Sequence, residues 1–263
     1  MGAAVADRAY LLGLTEAIGV TVVDPIREER GWRFTLSPGE RDPVTGAEFL
    51  ADLYRRTDPA FVGRATVPAI WDTKSERLVT NDYPQITLDF ETEWTAYHQR
   101  DPPDLYPVEL RDEIDAVNAD VFRDVNNGVY QAGFATTQPA YEEAFDALFT
   151  TLADLESRLA RQRFLVGGRL TEADVRLYTT LARFDAVYYS HFKCNLRRLV
   201  DYPNLWGYTR DLYSRPAFRQ TTDLDHIKRH YYGTHEQINP TRIVPKGPAI
   251  DWDAPHDRDR PRR

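Results

Sequence analysis

The sequence predicts an α/β unit over residues 1–97, an all-helical unit over 105–238 and a mostly irregular tail over 239–263. Three observations carry that reading. The β-branched run Val20-Thr21-Val22-Val23 has the composition of a strand. Two short apolar runs flank a polar turn between Thr66 and Thr80, the pattern of a β-hairpin. After Pro107 the apolar spacing becomes helical, and from Tyr141 through Leu148, Leu152 and Leu155 to Leu159 it holds for about five turns.

From the N-terminus, Ala6 to Ala17 has a helical pattern through Leu11, Leu12 and Leu14, with Gly19 placed as its C-terminal glycine. Asp24-Pro25 ends the first strand, and residues 27–46, rich in charge and turn formers, form an excursion. Glu48 to Arg56 is a short helix with Phe49, Leu50, Leu53 and Tyr54 on one side. In the hairpin, Pro68 has no N–H to give a ladder, so it sits on an edge or in a special bond geometry. A helix runs from Pro84 to Tyr97, and Asp101 to Asp104, with Pro102 and Pro103, is the linker. Beyond it, Leu110, Ile114, Val117, Val121 and Val125 keep helical spacing, Thr171 and Asp174 form a capping box, and Tyr202 to Tyr213 is a helix that stops at Pro216. The sum is most of a thioredoxin-like unit followed by a helical domain.

Composition narrows the function. A chain of 263 residues with 42% hydrophobic and 12% aromatic content buries a core without metal or disulfide. The net charge of −8 argues against nucleic acid and against an anionic membrane surface as partners. No apolar run reaches the roughly 20 residues of a membrane span, and Met1 to Leu14 lacks the basic start of a secretory signal. One cysteine, Cys194, rules out an intramolecular disulfide and fits a reducing cytoplasm.

Several strings resemble the glutathione transferase superfamily, and within it the glutathionyl-hydroquinone reductases, or Xi-class transferases. They are Gly31-Trp32, Gly63-Arg64-Ala65-Thr66-Val67-Pro68, Val125-Asn126-Asn127-Gly128-Val129-Tyr130, Ala132-Gly133-Phe134-Ala135, Leu170-Thr171-Glu172-Ala173-Asp174, Arg183-Phe184-Asp185, His191-Phe192-Lys193-Cys194, His226-Ile227 and Ile238-Asn239-Pro240-Thr241. The resemblance implies a thioredoxin-like N-terminal domain with its first strand missing, then an all-α glutathione-transferase-type domain. It also implies a reaction. A cysteine thiolate at a helix N-terminus attacks the sulfur of an S-glutathionyl hydroquinone, hydroquinone leaves, and a second glutathione resolves the mixed disulfide.

The family's Cys-Pro-Trp-Ala-His-Arg motif falls at Ala3-Ala4-Val5-Ala6-Asp7-Arg8, where no cysteine stands. The aligned cysteine lies before Met1 or is replaced near Ala3. The family's preceding strand is central in its sheet, so without it two edges stay unpaired and an apolar seam is exposed. The expectation is therefore a chain that lacks its true N-terminus. For the thiol co-substrate the resemblance implies Trp32, Arg64, a cis Val67-Pro68 bond, and Asp82 with Tyr83 in the slot where the family has Asn-Glu-Ser. Asp82 is equally suited to a plain helix N-cap. Tyr83 replaces a small hydroxyl, which leaves open glutathione or another low-molecular-weight thiol such as mycothiol. Tyr130 and Tyr231 match the two tyrosines that contact the hydroquinone oxygens, with Tyr188, Tyr189 and Tyr232 as weaker candidates.

Other groups are set aside. Cys194, with His191 three residues earlier, is a buried, inert thiol rather than a substitute nucleophile. His226 and His230 have the i,i+4 spacing of a metal pair but lack a third ligand, and no metal is expected. The expected protein is a cytoplasmic homodimer that acts on a hydroquinone-type substrate. The alternative is a non-catalytic relative that binds a thiol or quinol.

Overall fold

The computed structural model describes residues 2–259, so Met1 and the last four residues of the expected tail, 260–263, lie outside the described residues. The chain divides into two compact units, Met1–Pro102 and Pro103–Arg263.

In the first unit, α1 (Gly2–Leu11) stops earlier than its pattern suggests. Gly13, not Gly19, takes the left-handed backbone after the helix, at φ 69. The Gln99 main chain and side chain donate to the carbonyls of Leu12 and Leu11, at 2.9 and 3.2 Å, and close that end. Opposite α1 lies α3 (Tyr83–Thr92), and the buried Arg8 guanidinium donates to Glu91 at 2.8 Å.

The expected strand Val20–Val23 does not form a ladder. The segment is extended, but no strand of the described residues runs beside it, and its first main-chain bond is Asp24 N–H to the Arg33 carbonyl at 2.7 Å. Val23 packs into the core while Val20 and Val22 are 56% and 51% exposed. The sheet of the described residues is one antiparallel pair, β1 (Ile70–Asp72) and β2 (Arg77–Thr80). The hairpin therefore begins two residues after Pro68, and the Val67-Pro68 bond is cis. Helix α2 (Leu50–Thr57) packs Leu50, Leu53 and Tyr54 against Val23, Phe34, Ala47 and Ala65. Thr57 Oγ1 accepts from the Leu78 N–H at 2.7 Å and pins the hairpin to that helix.

The second unit is helical: α4 (Arg111–Asp120), α5 (Gly128–Gly133), α6 (Gln138–Leu159), α7 (Glu172–Arg183), α8 (Pro203–Tyr213), α9 (Pro216–Thr221) and α10 (Leu224–Thr234). Two wider π-turns interrupt the α-pattern, Val121–Asn126 ahead of α5 and Phe184–Tyr188 after α7. In each, an N–H reaches back five residues, Asn127 to Phe122 and Tyr189 to Phe184, both at 2.9 Å. Pro216 does not merely stop α8; it opens α9, where a missing N–H costs nothing.

Among the described residues, the tail beyond Asn239 has no regular structure but is anchored. Trp252 packs on Trp206 and Tyr213, with ring centroids 5.2 and 4.9 Å apart. The buried Arg258 guanidinium donates to the carbonyls of Gln162 and Arg163, each at 2.7 Å, beyond the C-terminus of α6, where a cation is favoured. No helix among the described residues is long and apolar enough to cross a membrane.

The capping box at α7 is more than a local cap. The fully buried Asp174 carboxylate accepts from Thr171 N–H and Oγ1 at 2.8 and 3.0 Å, from Leu165 N–H at 2.9 Å and from the Tyr208 hydroxyl at 2.8 Å. Burial outweighs these donors and lifts its pKa from 3.8 to about 6. The folded protein therefore holds this proton more tightly than the unfolded chain. The resulting stability is complete below pH 3.8 and lost as pH rises through about 6. In urea denaturation, Asp174→Asn should remove that slope, whereas Asp174→Ala, which strands four donors, should cost about 3 kcal/mol or more.

Candidate active site

The residues expected to hold the thiol all lie in the first unit. Tyr54 fixes the segment before the cis proline from both sides: its hydroxyl donates to the Thr66 carbonyl at 2.9 Å and accepts from the Thr66 N–H at 3.3 Å. Thr66 Oγ1 in turn accepts from Asn81 Nδ2 at 2.9 Å, which joins that segment to the turn before α3. Trp32 and Val67 are partly buried against the same core cluster. Arg64 is exposed, and its charge adds to burial in lowering the pKa of Arg27.

Arg27 was not anticipated. It lies in a loop rich in charge, where one arginine has no distinguishing signal. Asp82 is an exposed N-cap, with Oδ1 accepting from Gln85 N–H at 3.2 Å. Tyr83 is the first residue of α3 and, unlike Asp82, is buried.

The residues expected to meet a hydroquinone lie in the second unit and come together. Tyr130 leaves α5 immediately after the first π-turn, and Tyr231 comes from α10. Their hydroxyl oxygens are 2.5 Å apart. Tyr188, at the end of the second π-turn, places its hydroxyl 2.8 Å from Tyr231. Phe134 and Phe192 wall the group, with Phe192 5.5 Å from the Tyr130 ring and 5.7 Å from that of Tyr231. Burial pushes the Tyr188 and Tyr231 hydroxyls well above their usual range, so both stay protonated. Tyr189 and Tyr232 are not part of this chain of hydroxyls; Tyr232 pairs with Ser190 at 2.5 Å.

Two string residues hold this cluster. Asn126 Nδ2 bridges the Arg176 carbonyl and Thr180 Oγ1, at 3.1 and 2.6 Å, and ties the first π-turn to α7. Gly133 lets Phe192 close on α5, since a Cβ there would stand 2.2 Å from the ring. The His191-Phe192-Lys193-Cys194 string forms a tight turn with Lys193 at φ 59. His191 Nε2 lies 3.2 Å from His235 Nδ1, not beside a thiolate. Cys194 is buried, and burial raises its pKa to about 12, which leaves a thiol and not a nucleophile. His230 packs on Tyr231 and His235. Among the described residues no three His, Cys, Asp or Glu side chains are placed to hold a metal ion.

Known proteins match this architecture. The family model for the glutathione S-transferase C-terminal domain covers residues 138–211. Glutathionyl-hydroquinone reductase YqjG of Escherichia coli K12 is 47% identical over 251 residues, 95% of this chain and 76% of that protein. Glutathionyl-hydroquinone reductase PcpF of Sphingobium chlorophenolicum is 48% identical over 91% of this chain and 76% of its own length. A solved glutathione transferase from Gordonia bronchialis superposes with a TM-score of 0.97 at 50% identity, covering 98% of this chain and 81% of that one. The glutathione-bound structure of YqjG gives 0.94 at 45% identity, over 98% and 84% of the two chains. The thioredoxin-like first unit with few strands and the helical second unit are thus the glutathione transferase fold.

Two outcomes are expected for the cluster. Gly133→Ala should lower stability by about 2 kcal/mol by forcing Phe192 away, measured by thermal unfolding. Burial, then Lys193 and His230, lowers the His191 pKa from 6.5 to about 4. The unfolded chain therefore takes up this proton first, and stability complete above pH 6.5 is lost as pH falls through about 4. His191→Gln should flatten that part of the acid-denaturation profile.

Proposed function

Because the chain belongs to the glutathionyl-hydroquinone reductase, or Xi-class glutathione transferase, family, we propose that its residues bind glutathione and a hydroquinone for thiol-dependent reductive cleavage of an S-conjugated hydroquinone. The observation that carries this reading is the hydroxyl pair of Tyr130 and Tyr231 inside a wall of aromatic rings. A phenol side chain can donate to or accept from a quinol oxygen, and the apolar rings suit a flat aromatic substrate. In the first unit Trp32, Arg64, Val67, Pro68 and Asp82 serve the thiol. The cis peptide presents main-chain groups, Arg64 with Arg27 meets a carboxylate, and Asp82 meets the amino end of the γ-glutamyl group. Tyr83 contributes through its main chain at the start of α3, its side chain being buried. A homodimer in a reducing cytoplasm, where glutathione is abundant, completes the reading.

The bond-breaking step needs a thiolate. Attack on the conjugate's sulfur forms an S–S bond and breaks the ring C–S bond; the ring carbon takes the electron pair and a proton, and a second thiol then regenerates the nucleophile. Cys194, the one cysteine in these 263 residues, is buried and fully protonated and does not serve. That observation favours a second reading for these 263 residues alone, binding of thiol and quinol without turnover.

Equilibrium titration tests the site. Tyr130→Phe and Tyr231→Phe should each weaken hydroquinone binding about fivefold and leave glutathione affinity unchanged. Asp82→Asn should weaken glutathione alone. Unchanged hydroquinone affinity in both tyrosine variants would sink the assignment. Mass spectrometry then separates the two readings. A glutathione adduct on a cysteine ahead of Met1, in the protein as cells make it, means turnover, and a protein starting at Met1 that binds without an adduct means a binding module.

A further inference from the structure

The three tyrosine hydroxyls form a chain with a buried end and a partly exposed end. Tyr188 is 2% exposed and Tyr231 is 4% exposed, while Tyr130 is partly exposed. Among the described residues the hydroxyl of Tyr188 has one hydrogen-bond partner, the hydroxyl of Tyr231 at 2.8 Å. Its surroundings are the rings of Phe184, Phe192 and Tyr130, which accept no conventional hydrogen bond. A buried O–H must give its proton to something, so Tyr188 donates to Tyr231. With that position filled, the Tyr231 proton turns to its other neighbour, the Tyr130 oxygen at 2.5 Å. The Tyr130 oxygen then accepts from within, and its own O–H is left to point outward.

Resting on the reading that Tyr130 and Tyr231 meet the hydroquinone, we infer that Tyr188 is a positioning residue that sets the direction of this chain, so that Tyr130 offers a proton to the ligand. The ligand oxygen received there is an acceptor, a phenolate or a quinone carbonyl, in preference to a phenol O–H. Each donated bond polarises the next, so three phenols in series make a stronger outward donor than Tyr130 alone. The charged and titratable groups around the chain are Arg183, whose charge acts on both Tyr188 and Tyr231, and the rings of His230 and His235, which pack on Tyr231. Tyr188 is fixed independently of any ligand: its ring stacks on Phe192 at 5.5 Å, and its carbonyl accepts from the Cys194 N–H at 3.0 Å.

The test uses 4-nitrophenol, whose colour separates phenol from phenolate, with 4-nitroanisole as a probe that cannot ionise. On the intact protein the ionisation midpoint of bound 4-nitrophenol should fall below its value in water. Tyr188→Phe should weaken phenolate binding roughly fivefold, return the midpoint toward the free value by about 0.7 pH units, and leave 4-nitroanisole affinity unchanged. An unchanged midpoint, or an equal loss for both probes, would show that Tyr188 only packs, and the inference falls. A bound midpoint above the free value in the unaltered protein also overturns it, whether or not the variant folds. No binding of 4-nitrophenol to the unaltered protein would take down the hydroquinone site as well. Binding that Tyr130→Phe weakens and Tyr188→Phe leaves alone removes only the directed chain.

Discussion

A carboxylate buried with four donors ties together the segments on which the second unit depends. Asp174 holds the loop at Leu165, the start of α7 and the hydroxyl of Tyr208 on α8. Those bonds fix where α7 begins, and a helix of set length then fixes where it ends. Its end is the π-turn Phe184–Tyr188, the segment that delivers Tyr188 to Tyr231. The extra residue in that turn rotates the residues downstream of it relative to an unbroken α-helix. A second such turn precedes Tyr130. Both walls of the aromatic cluster thus reach their orientation through a locally widened helix.

The long helices were legible in the sequence because one apolar face recurs every turn, and the Thr171–Asp174 cap because two side chains at fixed spacing satisfy the helix start. The pairing of Tyr130 with Tyr231 came from a resemblance, not from spacing, since 101 residues separate the two. The π-turns were invisible: inserting one residue in the hydrogen-bond ladder leaves composition unchanged. Val20–Val23 misled for a different reason. Strand composition records fitness for a pleated surface, whereas a ladder also needs a neighbour, and no described strand lies there. The burial of Tyr83 was not legible either, because a motif match places a residue in a slot without saying which way its ring turns.

The first unit shows how a short hairpin and the cis-proline segment before it can be held in order without a wide sheet. Tyr54 grips both polar groups of Thr66, Asn81 grips the Thr66 side chain, and Thr57 grips Leu78. Each grip comes from α2 or the turn before α3, so the cis-proline segment is held by side chains where a wider sheet would hold it by main-chain pairing. The polar groups of that segment are therefore positioned by side-chain hydrogen bonds from Tyr54, Thr57 and Asn81.

The tail makes a different point. With no helix or strand among its described residues, it is held at separate anchors, Trp252 between two aromatic rings and Arg258 among the carbonyls beyond α6. A segment held this way takes its course from a few isolated side chains, so losing Trp252 or Arg258 would free a long stretch of chain that makes few other contacts of its own kind.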